Sequence, residues 1–181
     1  MNTATQNLED DHIYVLKLID VMISVTRSEM PDVGHIEDII DIIRNFADGT
    51  HHAKEENIFF PALESKGFSA QQGPVAVMLY EHTQGRNFVK GIAGNLELFK
   101  NGNKAALEGV YQNMVSYAEL LLNHIKKENN ILFRMADKVL SDEEQEDLLR
   151  QFQTIEKTRP AGTSVTDYIN RINALALIYN K

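Results

Sequence analysis

One local pattern is written twice along the chain. Residues 51–60 read His-His-Ala-Lys-Glu-Glu-Asn-Ile-Phe-Phe, and residues 124–133 read His-Ile-Lys-Lys-Glu-Asn-Asn-Ile-Leu-Phe. In both copies a Glu follows a His by four positions: Glu55 follows His51, and Glu128 follows His124. Positions i and i+4 are neighbours on one face of a helix, so each copy sets an imidazole beside a carboxylate. A further His stands upstream of each copy next to an acid, Asp11-His12 before the first and Glu81-His82 before the second, at similar separations. Four His and two Glu in two matched sets are the ligands expected of a two-metal centre inside a four-helix bundle.

The rest of the sequence supports such a frame. Apolar residues recur with helical rather than alternating spacing, which makes the expected fold class all-α: an antiparallel up-down four-helix bundle with additional C-terminal helices. The first helix is expected over about 9–28, with His12, Leu16, Ile19 and Ile23 facing inward. The second is expected over about 35–65, with Ile40, Ile43, Ala47, His51, Glu55 and Ile58. Gly49-Thr50 weakens it, and Pro61 is expected to kink or end it. The third, over about 74–100, carries Val75, Met78, His82, Gly85, Val89, Ile92, Leu96 and Phe99. The fourth, over about 104–138, carries Val110, Met114, Tyr117, Leu121, His124, Glu128, Ile131 and Met135. Residues 1–138 form the bundle with the metal site. Residues 139–181 read as a helical extension packed on it within the same domain. There, Ser141-Asp-Glu-Glu144 opens a helix with a capping box, Arg159-Pro160-Ala161-Gly162 breaks it, and a last helix covers about 164–180.

Several functions are excluded by composition. The net charge of −8 and the scattered Lys and Arg argue against nucleic acid, whose phosphates need a basic surface. No apolar stretch is long enough to span a membrane, and Met1–Asp10 has neither the basic nor the apolar region of a secretory signal. The chain has no Cys, so any metal must take nitrogen and oxygen ligands. His with carboxylate suits iron, manganese or zinc. A cytoplasmic location fits this composition.

Charged carboxylates on core-facing stripes are costly unless paired or coordinated, and two divalent cations would remove the repulsion between Glu55 and Glu128. The natural assignment gives one metal His12 and His51, and the other His82 and His124, with Glu55 and Glu128 bridging the two. One His on an apolar stripe reads more often as a hydrogen-bonded core residue; four in a matched repeat do not. His52 and Glu56 compete with His51 and Glu55. The stripe and the repeat alignment both favour 51 and 55, which places His52 and Glu56 on a polar flank outside the metal shell. His35, about 24 Å before His51 along a helix, is not a ligand. Tyr117 reads as core. Gly85, one turn from His82, either accommodates a neighbouring helix or leaves room for a small ligand.

These residues resemble the hemerythrin-like, or HHE cation-binding, domain of bacterial type. The matching segments are Asp11-His12, His51 through Pro61, Glu81-His82-Thr-Gln-Gly-Arg86 and His124-Ile-Lys-Lys-Glu128. The resemblance implies a non-haem di-iron centre of two iron ions, bridged by carboxylates and by an oxo or hydroxo group. It also implies a protein that binds, senses or reduces a small ligand: oxygen, nitric oxide or peroxide. Iron storage or delivery, or stress repair of iron–sulfur clusters, is the alternative, and a metal-stabilised interaction module is a third reading. Oxygen-carrying members have a fifth His one turn from the third-helix His. Here those positions hold Met78 and Arg86, and the last carboxylate ligand is Glu128, four residues after His124 rather than an Asp at five.

Overall fold

The computed structural model describes residues 3–158 and 163–179. They form six helices: α1 (Ala4–Val25), α2 (33–65), α3 (Pro74–Lys100), α4 (106–139), α5 (Asp142–Lys157) and α6 (Val165–Tyr179). No strand occurs among the described residues, and the first four helices make the expected all-α bundle. Among the described residues no helix is long and apolar enough to cross a membrane.

Capping explains where the helices begin. Thr3 accepts a hydrogen bond from the Gln6 N–H, so α1 starts more than a turn before the expected position. His12 therefore lies well inside the helix, and Ala4 and Leu8 are buried beneath it. Asp32 caps α2 by accepting from the Gly34 and His35 N–H groups. The capping box at Ser141 and Glu144 is present and opens α5. The break expected at Arg159–Gly162 lies outside the described residues.

Helices α2 and α4 are not uniform. Segments Ile43–His52 and Glu55–Phe59 of α2, and Glu128–Leu132 of α4, are π-helical. Their wide turns show in the i→i+5 bonds from Ala53 N–H to the Asp48 carbonyl, from Phe60 N–H to Glu55, and from Phe133 N–H to Glu128. Each such turn holds an extra residue and moves the inward face one position along the chain. The expected stripes fail at these places. Ile131 and Met135 are 51% and 38% exposed, while Leu132, Phe133 and Ala136 are buried. Likewise Phe59 is buried and Ile58 is only half-buried. Pro61 does not end α2; it follows the wide turn directly, in the first turn of the α-helical segment Phe60–Ser65.

The α3 stripe is buried as expected from Val75 to Leu96, with Phe99 half-buried. In α1, Leu16 and Ile23 only flank the core, and Val15, Leu18 and Met22 fill it. The reason is that α1 is covered on two sides, by the bundle and by α6, where Lys17 Nζ donates to Asn173 Oδ1 at 2.8 Å.

The apolar interior is split into two clusters. One includes Val15, Ile19, Phe46, Val89, Met114 and Leu121; α6 adds Tyr168, Ile172 and Leu175. The other includes Leu8, Phe59, Leu63, Met78, Leu132 and Phe133; α5 adds Leu148 and Phe152. On each bundle helix the His and Glu positions fall at the junction of the two clusters, Ile125 of the first lying just past His124 on α4. The candidate ligands thus form a polar layer with an apolar cluster on either side.

The phase shift in α4 is directly testable. Leu132→Ala removes a buried side chain and should cost about 2–5 kcal/mol of unfolding free energy, whereas Ile131→Ala should cost well under about 1 kcal/mol. Denaturant unfolding of both variants measures this, and equal losses would contradict the wide turn at Glu128.

Candidate metal centre

Seven buried side chains meet in the polar layer: His12 from α1, His51, His52 and Glu55 from α2, His82 from α3, and His124 and Glu128 from α4. They fall into two groups whose ligand atoms lie within 4.8 Å of one another: His12, His51, Glu55 and Glu128, and His52, Glu55, His82 and His124. Within the first, the Nε2 atoms of His12 and His51 are 3.0 Å apart; within the second, those of His82 and His124 are 3.2 Å apart. The carboxylates straddle the pairs. Glu128 Oε2 is 3.2 Å from His12 Nε2 and 3.2 Å from His124 Nε2, while Glu55 Oε2 is 3.7 Å from His51 Nε2 and 3.4 Å from His82 Nε2.

Each imidazole is held from behind. Nδ1 of His12 meets Asn129 Oδ1 at 2.7 Å, and Nδ1 of His51 meets Asp11 Oδ2 at 3.3 Å. Nδ1 of His52 meets Asp48 Oδ1 at 3.1 Å, that of His82 meets Glu56 Oε1 at 2.7 Å, and that of His124 meets Glu81 Oε2 at 3.0 Å. Amide and carboxylate oxygens accept hydrogen bonds, so Nδ1 carries the hydrogen and Nε2 is left with its lone pair. This arrangement orients metal-ligating histidines and fixes their tautomer. The anchors are themselves anchored. Arg86 bonds Asp48 and Glu56, and Lys127 bonds Glu81. Lys54, with no exposed surface, reaches Asn7 at 3.0 Å, Asp11 at 2.9 Å and Glu156 of α5 at 2.7 Å.

The carboxylates give the strongest sign that the layer is built for cations. All four oxygens of Glu55 and Glu128 are buried and take no conventional hydrogen bond; only the imidazole nitrogens of His12, His51, His82 and His124 approach them, at 3.2–3.7 Å. A native fold rarely leaves such groups unsatisfied, and unpaired charge in a low-dielectric interior is costly. Burial works against a charged imidazole at His12, His82 and His124. The carboxylates override it: Glu128 and then Glu55 at His12, Glu55 and Glu56 at His82, and Glu128 and Glu81 at His124. All three sit above the ordinary imidazole value, and His124 is pushed up to about 10. Burial would raise Glu128, but His124 and His12 hold it far below the ordinary carboxylate range. Burial and the adjacent His82 push His52 well down, so its ring is neutral. In the absence of metal, protons therefore take the place of the cations.

The structure brings together all six side chains expected from the sequence: His12, His51, Glu55, His82, His124 and Glu128. It corrects the reading of His52. That residue is only 4% exposed rather than on a polar flank, its ring stacks on His82 with centroids 3.8 Å apart, and it belongs to the second group. Both adjacent histidines face inward at the end of the π-helical stretch Ile43–His52. Glu56 does lie behind His82, outside the groups. His35 is remote and pairs with the Tyr179 hydroxyl at 2.8 Å. Lys54 and Asn129 were missed by sequence reasoning. Asp48, four residues before His52, was a readable sign that His52 has an anchor of its own.

Residues 3–136 match the family described as Hemerythrin HHE cation binding domain, and the chain belongs to that family. The iron-sulfur cluster repair protein YtfE of Escherichia coli O157:H7 is 30% identical over 89 residues, which is 48% of this chain and 40% of that protein. The chain therefore matches less than half of that relative's length. No solved structure matches it.

Metal loading should displace the protons held by His12, His82 and His124. A raised imidazole pKa stabilises the metal-free fold fully below about 6.5 and loses that effect as pH rises through the folded value, about 10 for His124. Metal uptake at neutral pH should therefore release protons into a weakly buffered indicator solution, and affinity should rise with pH over this window. Uptake without proton release would contradict the charge assignment.

Proposed function

We propose that the protein is a non-haem di-iron protein that binds, senses or reduces a small ligand: oxygen, nitric oxide or peroxide. The observation that carries this reading is the pair of donor groups sharing Glu55, with Glu128 in contact with a histidine of each. His12 and His51 would hold one iron and His82 and His124 the other, with Glu55 and Glu128 between them. The donor set of imidazole and carboxylate suits iron. A redox-active iron pair with open positions supplies ligand binding and electron transfer. The protein's part is to fix the imidazoles through Asn129, Asp11, Glu56 and Glu81 and to keep the layer dry between its two apolar clusters.

His52 adds a third imidazole beside His82 and His124, which makes the two halves unequal. It stands in for the histidine that Met78 and Arg86 do not provide, but it comes from α2 rather than α3. The half with His12 and His51 has two imidazoles and two carboxylates, fewer than six donors, and so keeps room for a ligand from outside.

The second reading is iron handling, by storage, delivery or repair of iron–sulfur clusters, and the similarity to YtfE favours it. A cytoplasmic site of action fits both readings. The absorption spectrum of the iron-loaded, anaerobically reduced protein separates them. Small-ligand chemistry predicts two irons per chain and a spectral change with azide after oxidation, or with nitric oxide before it. No response to either, together with iron transfer to an apo-protein, would support iron handling instead. His51→Ala should lose iron, whereas His52→Ala should keep two irons and shift the spectrum. Equal loss of iron in both variants would overturn the unequal roles.

A further inference from the structure

The two copies of the repeat carry a lysine at the same place. Lys54 stands one residue before Glu55, and Lys127 one residue before Glu128. Each reaches back to the acid that precedes the upstream histidine: Lys54 bonds Asp11, and Lys127 bonds Glu81. Each acid also accepts from Nδ1 of the histidine in the same copy, Asp11 from His51 at 3.3 Å and Glu81 from His124 at 3.0 Å. The same Lys–acid–His link is thus built twice, once in each half of the polar layer.

The two links differ at their outer ends. Lys127 is 35% exposed, and Glu81 is its one ionic partner among the described residues. Water therefore screens that link. Lys54 is 0% exposed and directs its ammonium hydrogens inside the fold. It donates to Asn7 and Asp11 of α1 at 3.0 and 2.9 Å, and to Glu156 of α5 at 2.7 Å. Phe152 of α5 also sets its ring 5.8 Å from the ammonium, within reach of a cation–π contact. A buried ammonium is costly unless its charge is compensated, and Asp11 must serve His51 as well. Helix α5 supplies the second carboxylate. Without Glu156, Asp11 is the one anion left to Lys54 and is drawn from His51, whose anchor is already the longest of the five.

Resting on the di-iron reading, we propose that Lys54 is a positioning residue for the His12–His51 half, and that α5, through Glu156, sets how firmly that half holds its metal. This half has the fewer imidazoles, so the orientation of His51 weighs more there than that of any one ring among His52, His82 and His124. Docking of α5 and metal binding at this half favour each other, because such coupling is reciprocal. The tail thereby makes two halves of a repeated site unequal from outside the bundle. An interaction that lifted α5 would loosen one metal and leave the other in place.

Anaerobic titration of the full chain with iron(II) tests the proposal, with the fold of each variant checked by its melting temperature. Glu156→Ala should weaken one of the two iron sites about tenfold or more, the usual cost of losing a group that supports a ligand, and leave the other unchanged. Should that variant fold poorly, Glu156→Gln removes the charge while keeping an oxygen against Lys54, and should weaken the same site. Lys127→Ala should change either site by no more than about twofold, because water screens its ion pair. Equal weakening of both sites by the Glu156 variants, or none, would overturn the proposal, and so would an equally large loss in Lys127→Ala. Histidine-selective nitrogen-15 spectra of the zinc-loaded protein identify the half concerned. Glu156→Gln should shift the Nδ1–H resonance of His51 and leave that of His124 in place; a shift of both alike would mean a merely structural role. An unsubstituted chain that binds fewer than two ions would count against the di-iron reading itself. The same spectra of the metal-free protein then decide the Lys54 link, and an unmoved His51 resonance would overturn it.

Discussion

Four carboxylate oxygens that take no conventional hydrogen bond sit at the middle of this bundle, on Glu55 and Glu128. Removing carboxylates from water without a partner costs several kcal/mol each, so their position requires positive charge nearby. The surrounding imidazoles answer that need in two ways. Without metal, protons on His12, His82 and His124 supply the charge; with metal, the same nitrogens would be free to serve as ligands. The apolar clusters on either side set the strength of both arrangements, because they exclude water from the layer and leave it no other source of compensation. The support then runs outward in steps: each imidazole rests on an amide or carboxylate, and all four of those carboxylates rest on Lys54, Arg86 or Lys127.

The C-terminal extension takes part in that support. Lys54 has no exposed surface and bonds Asp11, which holds His51, and Glu156 of α5. Helix α5 therefore supplies counter-charge to a buried cation as well as Leu148 and Phe152 to the adjacent cluster. The centre is coupled to the tail through one lysine that no spacing rule pointed to.

How much of this could be read from the chain depended on periodicity. The His-x3-Glu repeat works because four residues make about one turn of an α-helix, and it pointed to His51, Glu55, His124 and Glu128, which the fold brings together. Matching upstream acids with histidines then found His12 and His82. The reading failed where the helix was not α. Past Glu128 the buried positions move from Ile131 and Met135 to Leu132 and Ala136, and past Glu55 from Ile58 to Phe59. Before Glu55, His52 faces inward beside His51 at the end of a π-helical stretch. These slips share a cause: the main chain widens next to the candidate ligands, whereas the stripes follow a constant 3.6 residues per turn. Wide turns of this kind often mark functional sites. Asn129 and Lys54 were hidden for another reason, since their roles depend on residues far away in sequence, at positions 12, 11 and 156.

The central claim is that two metal ions share Glu55 and Glu128. Anomalous diffraction from iron-loaded crystals, collected at the iron edge, tests it most directly. The account predicts two peaks in the polar layer, one beside His12 and His51 and the other beside His82 and His124, with a carboxylate oxygen of both glutamates reaching across. A single peak, or peaks that leave Glu55 and Glu128 uncoordinated, would contradict it.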